Sequence, residues 1–259
     1  RAKLLASVSI ALDAAEQAER NALQSGLFDT QETSNTQATT HYVVTPRWTE
    51  REQLLHEKAA LGFFLSGHPF HAYAGELAAF VKRCLGQVEP QRDPVLLAGI
   101  VIASRTQMTR RGKMAIVTLD DGSSQIEVTV FNELWEAERG KIKEDELLLV
   151  EGKVQKDDYS GGLRVTVEKL FTLSEARGRF ARSLQLTMNG GSDVSSVKRL
   201  HALLAPFRPG PCPIRLRYAN SEASAELPMP DAWRVQLDDT LITGLSEWLA
   251  PENVKIIYN

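Results

Sequence analysis

Cysteine is almost missing from this 259-residue chain: Cys84 and Cys212 are the only two, far apart and in no Cys-x-x-Cys pair. That excludes a disulfide framework and a zinc knuckle, and makes a reducing compartment the simpler setting. No apolar run nears the roughly 18 residues that a membrane-spanning helix requires, so neither a membrane helix nor a membrane partner is expected, and the expected location is cytoplasmic. The start, "RAKLLASVSIALDAAEQ", continues with helical periodicity through Asp13 and Glu16, which is not a signal-peptide pattern. It also lacks an initiator Met, so the chain reads as processed or as part of a longer one. A surplus of one charge is lacking too: the net charge is −3. This argues against a uniformly basic protein that coats nucleic acid, but leaves room for a local basic patch.

The usual marks of catalysis are equally scarce. No phosphate-cradling G-x-x-x-x-G-K-[ST], no G-x-S-x-G and no H-E-x-x-H occurs. His68 and His71 are separated by the helix breaker Pro69 and joined by no acid or Cys, so they mark a helix end and not a metal site. Two acid pairs, Asp120-Asp121 and Asp157-Asp158, supply the carboxylates that two-metal chemistry uses. Adjacent acids on a strand point to opposite faces, and both pairs sit beside glycines, so they read as turns. No catalytic residue, metal ligand or cofactor site is assigned.

What the chain does contain is ordered in segments. Residues 2–25 read as one amphipathic helix, with Leu4, Leu5, Val8, Leu12 and a row of alanines on one face. The run "DTQETSNTQATTHYVVTP" has too few large apolar side chains to repay ordering and reads as a linker. Thr49 and Glu52 form a candidate capping box for a helix that Gly67 and Pro69 would end, with Leu54, Leu55, Leu61 and Leu65 down one side. A shorter helix is expected near 72–84. From Pro94 the period changes to two: "VLLAGIVIAS", "KMAIVTLDDG", "SQIEVTVF", "DELLLVEGKVQ" and "GLRVTVEKLFTL" are five β-rich runs. Asp121-Gly122 marks the turn between the second and third. A short helix with Asn132 as a plausible cap separates the third and fourth. Five short strands with that interruption is the layout of an OB-fold barrel. After residue 175, strands and helices alternate: "RSLQLTM", a helix capped by Asp193, "IRLRYAN", "SAELPM", "WRVQL", the helix "DDTLITGLSEWLA" and "NVKIIYN". The fold class is therefore multi-domain α+β: N-terminal helices (1–29), a polar linker (30–48), a helical connector (49–93), a five-stranded OB-fold β-barrel (94–174) and a small C-terminal α+β domain (175–259).

One detail stands out against this plan. In "QSGLF" two large apolar residues, Leu27 and Phe28, sit where a helix ends and a polar run begins. They are either a cap folded back on the chain's own core or a plug for a pocket elsewhere. In the barrel, the first inter-strand stretch, "SRTQMTRRGK", carries Arg105, Arg110, Arg111 and Lys113 without an acid, and the stretch between strands four and five brings Lys156, Tyr159 and Arg164. These are the two loops through which OB-folds hold oligonucleotides. The barrel as a whole is not basic, with 11 Lys and Arg against 13 Asp and Glu over residues 94–174. Phe131 and Tyr159 are its only ready outward aromatics, so weak, salt-sensitive binding is expected.

"LGFFLSGHPF", followed by "TRRGKMAIVTLDDGSSQIEVTVF" and "DDYSGGLRVTV", resembles the C-terminal portion of the bacterial replicative DNA polymerase III alpha subunit. The resemblance runs essentially the full length and is strongest from Arg51 to Leu173. It implies that the parent chain is a DNA-directed DNA polymerase, a nucleotidyltransferase whose catalytic aspartates lie upstream of this region. It implies a clamp-binding peptide of pattern Gln-x-x-Leu-Phe, matched here by Gln24, Leu27 and Phe28; Gly26 departs from the polar or acidic residue that the family prefers. It also implies that the OB domain contacts single-stranded template DNA and that the C-terminal domain binds the tau subunit of the clamp loader, through residues that the resemblance does not name. In that domain Leu241, Leu245 and Trp248 share a helix face and read as core ahead of partner surface, as does Trp233. The alternative is a stand-alone OB-fold protein that binds single-stranded nucleic acid tightly and has no affinity for a clamp.

Overall fold

The computed structural model describes residues 1–23, 42–109, 112–156, 162–189, 194–219 and 224–258. Its contacts divide the chain into two units, residues 1–67 and 68–259.

The first unit is helical. In place of one expected helix there are two, α1 (Ala2–Ala6) and α2 (Val8–Leu23), broken at Ser7. The Ser7 hydroxyl donates to the Lys3 carbonyl at 2.7 Å and accepts from the Val43 amide at 2.9 Å. A serine that hydrogen-bonds back onto its own helix competes with the ladder and bends it. The apolar face of these helices is not buried: Leu4, Leu5, Val8, Ile10 and Leu12 are all exposed. The next helix, α3 (Glu50–Leu61), carries the expected capping box, with the Thr49 amide donating to Glu52 at 2.8 Å and the Glu52 amide returning to the Thr49 hydroxyl at 3.3 Å. It ends sooner than expected, at Gly62 (φ +82°), because a glycine can take the left-handed cap conformation before Gly67 is reached. Of its expected apolar side only Leu54 is buried, while Leu55, Leu61 and Leu65 are exposed. Glu57 holds the following turn, accepting from the Leu65 and Ser66 amides at 2.9 and 2.8 Å and from the Ser66 hydroxyl and Arg1.

The second unit opens with α4 (His71–Leu77), which ends well before the expected 84. The five expected β runs form β1 (Gln91–Thr109), β2 (Gly112–Asp120), β3 (Gln125–Val130), β4 (Leu147–Lys156) and β5 (Leu163–Phe171). Their pairing runs β1-β2-β3-β5-β4 and back to β1 as a closed barrel. The alternation in β3 places Ile126, Val128 and Val130 inside with Val117, Leu119, Val150 and Val165. Thr129, on the opposite face, is also covered, at 8% exposure. Between β3 and β4 lies α5 (Asn132–Glu138), whose cap position is Phe131 and not Asn132, and no side chain caps it. The Asp120-Asp121 pair builds a turn, as expected of it. Gly122 (φ +81°) donates to Asp120 at 2.7 Å, and the largely buried Asp121 carboxylate accepts from Ser123, Ser124 and the Leu85 amide, the last at 2.6 Å. Burial pushes the Asp121 carboxyl up, but these hydrogen bonds, Ser123's first, outweigh it and hold the group below its ordinary range.

From β5 the chain enters α6 (Leu173–Phe180) and then a second sheet of β6 (Ala181–Asn189), β7 (Ile214–Ala219), β8 (Ser224–Pro228) and β9 (Val254–Tyr258), in the order β8-β7-β6-β9. β6 and β7 are parallel, linked through α7 (Val194–Leu204), and the other pairs are antiparallel. α7 and α8 (Asp239–Leu249) share a core with Leu184, Leu186 and Met188 of β6, so Leu241 and Leu245 are core, as expected. Trp233 and Trp248 are half-buried against it. "WRVQL" is not a strand: a short 3-10 turn (Asp231–Trp233) leads to a single bridge between Val235 and Cys212. Gly210 explains the tightness here, because a Cβ on it would stand 1.9 Å from the Val235 carbonyl carbon. The Asp193 cap lies outside the described residues.

α4 and α6 pack on the outside of the barrel in a third cluster. Leu77, Leu173 and Ala176 meet Ala98 of β1 and Leu149 of β4, and Phe80 stacks on Phe180 at 5.1 Å.

Candidate nucleic-acid interface

The barrel's register decides where its cations stand. β3 is antiparallel to β2, which begins at the β1–β2 hairpin, and parallel to β5, which begins at the β4–β5 hairpin. The two hairpins therefore leave the barrel at opposite ends of β3. Between them lies the outer face of β2 and β3, with Ile116, Thr118, Glu127 and Thr129.

The expected basic loops are less loop-like than the sequence suggests. Arg105 lies on β1, partnered in register with Ile116, and Lys113 lies on β2 opposite Met108. Lys156 closes β4 and Arg164 is on β5. Strong β alternation carries the hairpin arms past the turn signals that the sequence reading took as strand ends. Lys156 and Arg164 are exposed and Lys113 is half-buried. Arg110, Arg111 and Tyr159 lie outside the described residues, as do Gln24, Leu27, Phe28 and the pair Asp157-Asp158.

The described cations do not form one basic patch. The Arg105 guanidinium donates to both Glu127 carboxylate oxygens at 3.0 Å, across the intervening β2. Val128 and Val165 are register partners and fully buried, so Glu127 and Arg164, one residue before each, both turn outward on adjacent strands. The face thus has cations at its two flanks and an acid at its centre. The Arg105–Glu127 pair is exposed on both sides, 60% and 54%, and such pairs contribute only ~0–1 kcal/mol. Sequence reasoning passed over Met108, which is 83% exposed near the hairpin end. A Met in a β run reads as core, and nothing short of the register reveals that it faces water.

His68 lies with its Nε2 3.4 Å from Asp120 Oδ1, and its ring centroid 6.0 Å from that of His71. Among the described residues no group of three or more His, Cys, Asp or Glu is placed to hold a metal ion. Among them, too, no helix is long and apolar enough to cross a membrane.

Residues 95–173 match the family described as an OB-fold nucleic acid binding domain. Residues 199–249 match the C-terminal domain of DNA polymerase III subunit alpha. Over 259 residues the chain is 40% identical to the DNA polymerase III subunit alpha of Neisseria meningitidis serogroup B, covering 99% of this chain and 22% of that protein. The chain belongs with the C-terminal region of DNA polymerase III alpha subunits. The Escherichia coli K12 alpha subunit is 33% identical over 266 residues, covering 100% of this chain and 23% of that one. The chain thus spans less than a quarter of the length of these alpha subunits. Among solved structures, the second OB-fold domain of replication protein A from Methanococcus maripaludis overlaps 35% of this chain and 93% of its own, at 22% identity and a TM-score of 0.29, too low to carry weight. Within the alpha-subunit match, the two family models cover the barrel and the α7–α8 region of the second sheet.

Proposed function

We propose that this chain is the C-terminal accessory region of a replicative DNA polymerase. It holds the catalytic part of its parent to a sliding clamp, touches single-stranded template and joins the clamp loader. The observation that carries this reading is the full-length similarity to DNA polymerase III alpha subunits. Nucleotide transfer belongs to the rest of that parent chain, and no residue here takes part in the chemistry.

Template contact falls to the barrel. The β2–β3 face and the two hairpins are the parts of an OB-fold that receive oligonucleotides, and Arg105, Lys113, Lys156 and Arg164 border them, with Arg110, Arg111 and Tyr159 as the remaining members. Glu127 at the centre and the shortage of stacking rings keep the affinity low and salt-sensitive. Clamp contact falls to Gln24, Leu27 and Phe28. Two large apolar side chains entering a pocket contribute roughly 3–6 kcal/mol before ordering costs, which suits a tether that must release. Contact with the tau subunit falls to the C-terminal domain. A stand-alone single-strand binder gains nothing from the similarity outside the barrel.

The test presents the immobilised chain in turn with the sliding clamp, the tau subunit and oligo-dT. All three bind in this reading. A Leu27→Ala, Phe28→Ala variant loses the clamp alone, and Arg110→Glu with Arg111→Glu weakens oligo-dT alone. Clamp affinity untouched by the first variant would remove the peptide from the reading; oligo-dT affinity indifferent to salt would remove the barrel.

A further inference from the structure

The helices that share a core with the second sheet, α7 and α8, lie on one of its faces, the side lined by Leu184, Leu186 and Ile214. The opposite side carries a different chemistry. In register, Lys255 of β9, Gln185 of β6 and Arg215 of β7 form one cross-strand row, and Thr187, Arg217 and Glu226 form the next. Lys255, Arg215 and Arg217 are exposed. Arg215 pairs with Glu226 at 2.9 Å, while Arg217 and Lys255 have no ion partner among the described residues. Among the described residues this places three exposed cations against one acid on a single sheet face, whose central strand is half-buried at Gln185 and Thr187 and buried at Ser183.

We propose that this face is a second docking site for the phosphate backbone of single-stranded nucleic acid, separate from the barrel. Spacing supports it. Arg215 and Arg217 alternate on one strand, about 7 Å apart, and Lys255 lies two strands from Arg215, about 10 Å away. Arg215 lies within about one Debye length, ~10 Å at 0.1 M salt, of both Arg217 and Lys255, so the cations act on a polyanion together. The neutral positions, Gln185, Thr187 and Ser224, are amide and hydroxyl side chains of the kinds that donate to phosphate oxygens. The alternative occupant, an acidic protein segment, is the weaker fit. Protein interfaces centre on aromatic or apolar anchors in pockets, and the described side chains of this face are polar apart from Pro228 at its rim and the half-buried Ile257. The face offers no stacking ring, so it holds backbone without reading sequence.

The proposal stands independently of the barrel reading, and two variants of the whole chain separate them. Binding of fluorescein-labelled oligo-dT is followed by anisotropy across a salt series for wild type, for Arg217→Ala with Lys255→Ala, and for Lys156→Ala with Arg164→Ala. Losing two phosphate contacts to a single strand flattens the slope of log K against log[salt] by about 1.4. The sheet variant is expected to show that flattening and a several-fold weaker affinity, with thermal stability unchanged because both side chains are exposed. Wild-type slope and affinity in the sheet variant overturn the proposal, whatever the barrel variant does; an effect of the sheet variant alone overturns the barrel reading instead. Poly-glutamate that binds the wild type, loses affinity in the sheet variant and leaves oligo-dT untouched assigns the face to an acidic protein, and the proposal fails.

Discussion

At the scale of single residues, Arg177 carries the most concentrated set of interactions in the chain. It projects from α6 at 6% exposure; its Nε and Nη2 donate to the Glu76 carboxylate of α4 at 2.6 and 2.8 Å, and its Nη1 to Asp239 of α8 at 2.5 Å. The Tyr258 hydroxyl of β9 donates to the same Glu76. Four elements therefore meet at the Arg177–Glu76 pair, which joins the barrel's flanking helices to the second sheet. Burial pushes the Glu76 carboxyl up, but the bonds from Arg177 and Tyr258 outweigh it and hold the group below its ordinary range. Burial likewise pushes Tyr258 up, and its bond to Glu76 pushes it further. Removing one partner of a buried pair leaves the other charge uncompensated, at about 3–5 kcal/mol. Arg177→Met is therefore expected to lower the unfolding free energy obtained from urea titration by an amount in that range. Arg177→Met with Glu76→Leu is expected to recover part of it, since the orphaned carboxylate goes too. A single variant as stable as wild type would show that the cluster is ornamental.

At the scale of elements, legibility depended on whether the signal was local. Thr49 and Glu52 mark a helix start that the structure contains. The same signature, Thr172 with Glu175, opens α6, a helix absent from the sequence reading: the Thr172 amide donates to Glu175 at 2.9 Å and the Glu175 amide to Thr172 at 3.3 Å. It was hidden because "GLRVTVEKLFTL" reads as strand up to the cap and "ARGRF" has no apolar period of its own. The five barrel strands were legible because each carries a buried apolar stretch, as at Leu97 and Val101 of β1 and Val128 and Val130 of β3. "WRVQL" was misread for the converse reason: its alternation is real, but Val235 finds only one bridge partner, so the alternation serves burial without a ladder. The site cations were legible as residue types, but the Glu127 that neutralises Arg105 was not, because it is a register neighbour two strands away. Thr172→Ala tests the weight of the hidden cap. It is expected to cost ~1 kcal/mol, or about 2–4 °C in the melting of residues 68–259. No shift would mean that packing alone holds α6.

At the scale of the whole chain, stability at low pH rests on buried or hydrogen-bonded carboxylates in both units. In the first unit, the Ser66 hydroxyl, the Ser66 and Leu65 amides and Arg1 pull Glu57 down from 4.5 to about 2. A folded-state value below the unfolded one gives stability that is fully present above pH 4.5 and is lost as the pH falls toward 2. Asp121 and Glu76 act in the same direction in the second unit. The prediction concerns Glu57, whose contribution is reported locally by the amide resonances of Leu65 and Ser66, which donate to it. With urea unfolding followed at those amides, the wild-type midpoint is expected to fall between pH 7 and pH 3. Glu57→Gln, which cannot titrate, starts lower at pH 7 and is expected to fall by a smaller step. If both proteins lose the same amount over that interval, the acid sensitivity of residues 1–67 comes from elsewhere, and the buried carboxylate that ties Arg1 to the turn after α3 is a contact without a pH-dependent role.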